Sequence, residues 1–189
     1  RAISIEELIE ECSLTKIILI SDIPGAGKTF ALREIYKKLI NQKVLPVFVE
    51  LKNHSEKFEQ KIENFSAFLA DEILKFEKLQ RNLFLKLFKE QKVLLLLDGF
   101  DDLTQIGREN CLKILKNFDS KQLWLTTRKH LAPELQKQLN TVAFNLVPLE
   151  KEEETELFSN LLASDERGIK FLTETLNAVC SENFIGNPL

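Results

Sequence analysis

The sequence predicts an α/β fold: a parallel sheet flanked by helices, followed by the start of a small helical subdomain. Three observations carry that expectation. The apolar run Ile17-Ile18-Leu19-Ile20 breaks into Ser21-Asp22-Ile23-Pro24-Gly25-Ala26-Gly27-Lys28-Thr29, a strand that turns through glycines into a helix. A second run, Val93-Leu94-Leu95-Leu96-Leu97, is continuous rather than alternating, as a strand covered by helices on both faces requires, and Asp98 ends it. Strand-like and helix-like segments alternate along the chain up to about residue 149, which implies right-handed crossovers and a ligand at the carboxyl ends of the strands.

Taken in order, Ser4-Ile5-Glu6-Glu7 has capping-box spacing and predicts a short helix towards Cys12. The strand from Ile17 follows, then a helix from Lys28 to about Asn41. Leu45-Pro46-Val47-Phe48-Val49-Glu50-Leu51 is rich in strand formers, with Pro46 housed near its start. Phe65, Phe68, Leu69, Ile73 and Phe76, then Leu83 and Leu87, recur at helical spacing over Lys61 to Phe76 and Asn82 to Lys89, and the phenylalanines read as core. Further strands are expected at Gln122 to Thr127 and Thr141 to Val147, with helices between. From Glu150 only helices are expected, Lys151 to Ala163 and Gly168 to Cys180, which places the domains at 1–149 and 150–189.

The 189 residues are 44% hydrophobic and 29% charged, enough for one substantial core and too apolar for a disordered chain. A net charge of -3 and a pI near 5.6 give no footprint for general nucleic-acid binding. No apolar run approaches bilayer length, and Arg1-Ala2-Ile3-Ser4 opens neither a signal peptide nor a reading frame, so the chain reads as part of a longer protein. Cys12, Cys111 and Cys180 lack metal-ligand spacing and read as reduced thiols suited to the cytoplasm, while His54 and His130 stand too far apart for a paired-histidine site.

The turn after the first strand is a phosphate-binding pattern. Backbone N–H groups from Gly25 to Thr29 can surround polyphosphate oxygens, Lys28 brings a mobile charge to the terminal phosphates, and the Thr29 hydroxyl suits Mg²⁺. The following helix aims its N-terminal dipole at the same anion. Pro24, Gly25, Ala26, Gly27, Lys28, Thr29 and Phe30 are the candidate nucleotide-contacting residues. Asp22 occupies the place of the first glycine in G-x-x-x-x-G-K-[ST], where a carboxylate repels phosphate unless its side chain is directed away.

Leu97-Asp98-Gly99-Phe100-Asp101-Asp102 supplies the partner such a loop needs. Asp98 can hold Mg²⁺ through water with Thr29, and Asp101 or Asp102 can orient or deprotonate an attacking water. Arg128 closes the strand Gln122-Leu123-Trp124-Leu125-Thr126-Thr127 and has two readings: a guanidinium that grips a terminal phosphate, or one paired to Asp101 or Asp102 without nucleotide contact.

Asp22-Ile-Pro-Gly-Ala-Gly-Lys-Thr29, Leu97-Asp-Gly-Phe-Asp-Asp-Leu103 and Trp124-Leu-Thr-Thr-Arg128 resemble the Walker A, extended Walker B and sensor 1 segments of the NACHT family of STAND P-loop NTPases. Gly186-Asn187-Pro188-Leu189 is similar to the motif whose proline, here Pro188, packs by the adenine in that family. Gln122 to Leu131 and the Asp22 start resemble arthropod NACHT proteins in particular. The resemblance implies a signalling switch that binds ATP and ADP with Mg²⁺, hydrolyses slowly, self-associates when ATP-bound and acts with protein signalling partners in innate immunity or regulated cell death. Lys28, Asp98, Asp101, Asp102 and Arg128 would be its catalytic residues, with Thr29 and Asp98 on the metal. Two departures stand out: Asp102 replaces a frequent Glu, and Lys129 a frequent proline. An AAA+-like remodelling ATPase and a hydrolysis-deficient nucleotide-binding scaffold are the competing readings; a small-molecule kinase lacks a recognisable lid and hydroxyl base.

Overall fold

The computed structural model describes residues 2–40, 42–118 and 120–148. The expected helices after 150, the domain boundary at 149, Cys180 and Pro188 lie outside the described residues. Residues up to Asp22 and from Lys28 to Asn145 belong to one compact unit; the turn Ile23–Gly27 belongs to a second and is described separately below.

The chain opens with α1, Ile5–Glu11, capped as its sequence predicts: the Ser4 hydroxyl accepts the Glu7 N–H, and the Glu7 carboxylate accepts the Ser4 N–H. β1 is Ile17–Asp22 and α2 is Lys28–Leu39. β2, Leu45–Glu50, is an edge strand, which explains why Pro46 is tolerated at its second position. A 3₁₀ stretch, Leu51–Glu59, leads to α3, Phe65–Phe68, which widens into a π-helical turn at Leu69–Ile73. Then come α4 (Lys78–Lys89), β3 (Val93–Asp98), a 3₁₀ turn (Phe100–Asp102), α5 (Gln105–Lys116), β4 (Gln122–Arg128), α6 (Ala132–Leu139) and β5 (Ala143–Phe144).

The five strands form one parallel sheet in the order β2-β3-β4-β1-β5. β4 therefore lies between the strand that feeds the glycine turn and the strand that ends in Asp98. Every β1 residue is buried, as are the first five of β3 and the first six of β4, so the continuous apolar runs are the sheet's covered centre. Registry aligns the strand ends: Asp22 lies opposite Arg128, and Leu97 opposite Leu125.

Phenylalanines fill one side of the core. Phe58 meets Phe68 edge-on at 5.2 Å, and Phe84 contacts both Phe76 and Phe88 at 5.6 and 5.9 Å. α4 starts at Lys78, four residues before the expected Asn82, and its phase turns Phe84 inward and leaves Leu83 56% exposed. β5 is shorter than the predicted Thr141–Val147, since only Ala143 and Phe144 pair with β1. Among polar core groups, the buried Gln122 amide donates to the carbonyls of Cys12 and Thr15 at 2.6 and 2.9 Å, and its oxygen accepts the Trp124 indole N–H at 3.0 Å. Cys12 and Cys111 are free thiols, and complete burial pushes the latter up to about 12. No described helix is long and apolar enough to cross a membrane.

Candidate functional site

The glycine turn takes the conformation that its composition requires. Gly25 and Gly27 have φ of 78° and 88°, a left-handed region costly for any side chain, and the Ala26 N–H donates to the Ile23 carbonyl at 3.4 Å.

Within the larger unit, the ends of β1, β3 and β4 bring a set of charged and hydroxyl groups together. Thr29, in the first turn of α2, donates to Asp98 Oδ2 at 2.6 Å. The other carboxylate oxygen accepts the Thr126 hydroxyl, also at 2.6 Å, and Thr126 in turn accepts the Gly99 N–H at 2.8 Å. Asp98 is thus fixed from both sides by hydroxyls. A hydroxyl and a carboxylate are hard oxygen donors of the kind Mg²⁺ prefers, and they meet at one point. Among the described residues no three His, Cys, Asp or Glu side chains gather into a metal cage, so an ion here would draw its remaining ligands from phosphate and water.

Lys28 donates from Nζ to the Asp22 carbonyl at 3.1 Å. Burial pushes its ammonium pKa down; the charges of Asp101, Asp22 and Asp98 oppose that, and Arg128 adds to it. Arg128 is paired here with Asp101: Nε lies 2.6 Å from Asp101 Oδ2, with the carboxylate side chain 8% exposed. Asp102 keeps much of its surface open, yet its carboxyl is raised, first by loss of surrounding water and then by the neighbouring Asp101 charge.

Gly99 makes the acidic turn possible. Its φ is 80°, and a Cβ there would stand 2.5 Å from Asp102 Oδ2. The Asp-Gly-x-Asp-Asp pattern therefore has a steric basis: Asp102, four residues after Asp98, folds back over Gly99.

Asp22 resolves the conflict its sequence position raised. Its side chain, 6% exposed, pairs with Lys129 Nζ at 2.9 Å. Lys28, Thr29, Asp98, Asp101, Asp102 and Arg128 are assembled in the larger unit; Phe30, at 58% exposure, stands open to solvent. Two contributors escaped the sequence reading. Thr126 had a detectable signal, a hydroxyl at the end of an otherwise apolar strand, and Lys129 had one in being a cation where Asp22 needs one.

The NACHT domain family model matches residues 16–165, most of the chain and all of the described site. The chain belongs to the NACHT family. As a NACHT domain it is a nucleotide-binding domain of the P-loop NTPase class. Among solved structures, it resembles AMPPCP-bound DnaA from Aquifex aeolicus at 17% identity and a TM-score of 0.53, covering 88% of this chain and 54% of that one. A DNA replication initiation factor matches at 19% identity and a TM-score of 0.51, over 96% of this chain and 60% of the other. These likenesses are of fold, and the chain spans little more than half the length of either structure. No curated protein matches the sequence.

Proposed function

We propose that this NACHT domain is an ATP- and ADP-responsive signalling switch with slow Mg²⁺-dependent hydrolysis. The observation that carries the reading is the 2.6 Å hydrogen bond from Thr29 to Asp98, which unites the phosphate loop's hydroxyl with the acid at the end of β3. In that reading Thr29 and Asp98 hold the ion, Lys28 leaves the Asp22 carbonyl for the terminal phosphates, and residues Pro24 to Phe30 line the nucleotide. Mg²⁺ there would offset charge on the β- and γ-phosphates. Asp102, with its raised carboxyl, orients the attacking water, although its reach is one methylene shorter than a glutamate's.

Arg128 gives the switch its two states. Paired to Asp101, it is withdrawn; exchanged onto a γ-phosphate, it reports ATP and releases Asp101 beside the water. A helical subdomain from residue 150, with Pro188 by the adenine, is our proposal for the element that moves. ATP-dependent self-association, protein signalling partners and an immune or cell-death setting are the corresponding larger-scale proposals, in the cytoplasm where free thiols such as Cys12 and Cys111 persist. A hydrolysis-deficient scaffold is the second reading, favoured by the Arg128–Asp101 pair and the short Asp102.

The test is thermal stability with and without Mg-ATP or ADP. At a hundredfold excess over Kd, a ligand of the folded state adds about 2.7 kcal/mol, a shift of roughly 5–10 °C for a chain of this size. Lys28→Ala should remove most of it and leave the unliganded midpoint near the parent's. An unchanged shift in that variant overturns the assignment.

A further inference from the structure

A phosphate loop that begins with an acid has an electrostatic problem, and this fold contains a specific answer to it. Asp22 ends β1, at the entry of the turn. Its carboxylate is almost wholly buried, where a lone negative charge is costly unless a cation meets it. Its field also reaches Lys28, whose ammonium already bonds to the Asp22 backbone carbonyl at 3.1 Å. An uncompensated Asp22 would therefore act twice against a polyphosphate: by repelling it, and by competing with it for Lys28.

Arg128, the register neighbour of Asp22 on β4, is committed to Asp101. The next residue, Lys129, reaches back and places Nζ 2.9 Å from Asp22 Oδ1, while its own side chain is 54% exposed. A lysine suits the task because its compact charge sits at the end of a flexible stem and leaves the backbone turn after β4 unconstrained.

We propose that Lys129 is a charge-compensating residue of the nucleotide site: it neutralises the Asp22 carboxylate so that an acid at the loop's first position is compatible with phosphate and Lys28 stays available to the ligand. This rests on the nucleotide-site reading above. Lys129 acts through Asp22 and Lys28, not by touching the phosphates, so it is a positioning residue. Its effect should grow with ligand charge, greater for ATP than for ADP, and should vanish once the carboxylate itself is removed.

The experiment is a double-mutant cycle on this chain, read as ATP and ADP Kd by calorimetry together with the unliganded thermal midpoint. Lys129→Ala should weaken ATP on the order of tenfold, and ADP less, because an unscreened charge in a partly desolvated site acts in proportion to the charge it faces. Asp22→Asn/Lys129→Ala should restore ATP affinity to within about twofold of Asp22→Asn alone, by the logic of such a cycle. Lys129→Arg keeps the charge and should bind as the parent does, which also covers the case in which Lys129→Ala fails to fold. Equal losses for ATP and ADP without rescue in the double variant would make Lys129 a structural brace and overturn the proposal. Lys28→Ala separates the two layers. If it abolishes binding while Lys129→Ala changes nothing, only the compensation falls; if it too leaves binding intact, the site reading falls with it.

Discussion

Asp98→Asn tests the metal reading most directly, because it removes charge at nearly constant shape. In the parent, Oδ1 accepts from Thr126 and Oδ2 from Thr29, each at 2.6 Å. The Thr126 hydroxyl oxygen already accepts the Gly99 N–H, so the new amide nitrogen fits best towards Thr29, whose rotor can turn to accept it. Two charge-assisted bonds of about 1.5–3 kcal/mol become two neutral ones of about 0.5–1.5 kcal/mol. That sets a ceiling near 3 kcal/mol; Thr29 is exposed and Asp98 half-buried, so about 1–1.5 kcal/mol is the expected cost to the unliganded domain, roughly 2–6 °C. The nucleotide effect should be larger and selective. ATP titrated with Mg²⁺ should lose about tenfold or more, while ATP in chelator should change little. Calorimetry in the two buffers and a melting curve of the unliganded variant decide it. Equal losses with and without Mg²⁺, or a collapse of the unliganded midpoint, would make Asp98 a structural residue.

Arg128→Ala should lower ATP affinity by about 10- to 150-fold, the equivalent of one charge-assisted contact of about 1.5–3 kcal/mol, and leave ADP nearly unchanged; matching losses in parallel titrations would mean that the guanidinium serves only Asp101. Gly99→Ala forces a Cβ into the Asp102 carboxylate at a left-handed φ, so it should cost at least about 1–2 kcal/mol in urea unfolding and slow any phosphate release; parental stability would contradict the steric argument. Gln122→Ala strips partners from the Trp124 indole and two carbonyls in the buried core, and should cost about 2–4 kcal/mol in the same assay, with a parental midpoint refuting that network's role.

The parts of the fold legible in sequence were those whose physics is local. β1, β3 and β4 announce themselves because strands buried on both faces must be apolar at every position, and α1 because its cap lies within three residues of itself. The 3₁₀ stretch Leu51–Glu59 has no such signal. Its only fully buried members are Leu51 and Phe58, and its closing carbonyls at Phe58, Glu59 and Gln60 are satisfied by the Asn110 amide, some fifty residues away. The π-helical turn at Leu69–Ile73 likewise has no local signal, since the apolar spacing from Phe65 to Ile73 reads as ordinary α-helix. Site chemistry divides the same way. Lys28, Thr29 and Asp98 follow from spacing, whereas the pairing of Thr126 with Asp98 and of Lys129 with Asp22 depends on β4 lying between β1 and β3, which is a property of topology.

That strand order has a mechanical consequence. Because β4 separates β1 from β3, its end is the one place where a single short segment can reach the acids on both sides. Thr126 holds Asp98, Arg128 holds Asp101 and Lys129 holds Asp22, so residues within four positions engage one carboxylate of β1, one of β3 and one of the turn after β3. An exchange of Arg128 from Asp101 to phosphate cannot then remain local, since any displacement of its backbone is shared with Lys129 through one peptide bond and with Thr126 through two. On the proposed reading, in which Asp98 holds the metal and the Asp22 turn receives phosphate, the β4 end would couple the two. Substitutions at Arg128 and Lys129 should accordingly be non-additive in ATP affinity but close to additive in ADP affinity, because only the triphosphate draws on both pairs at once.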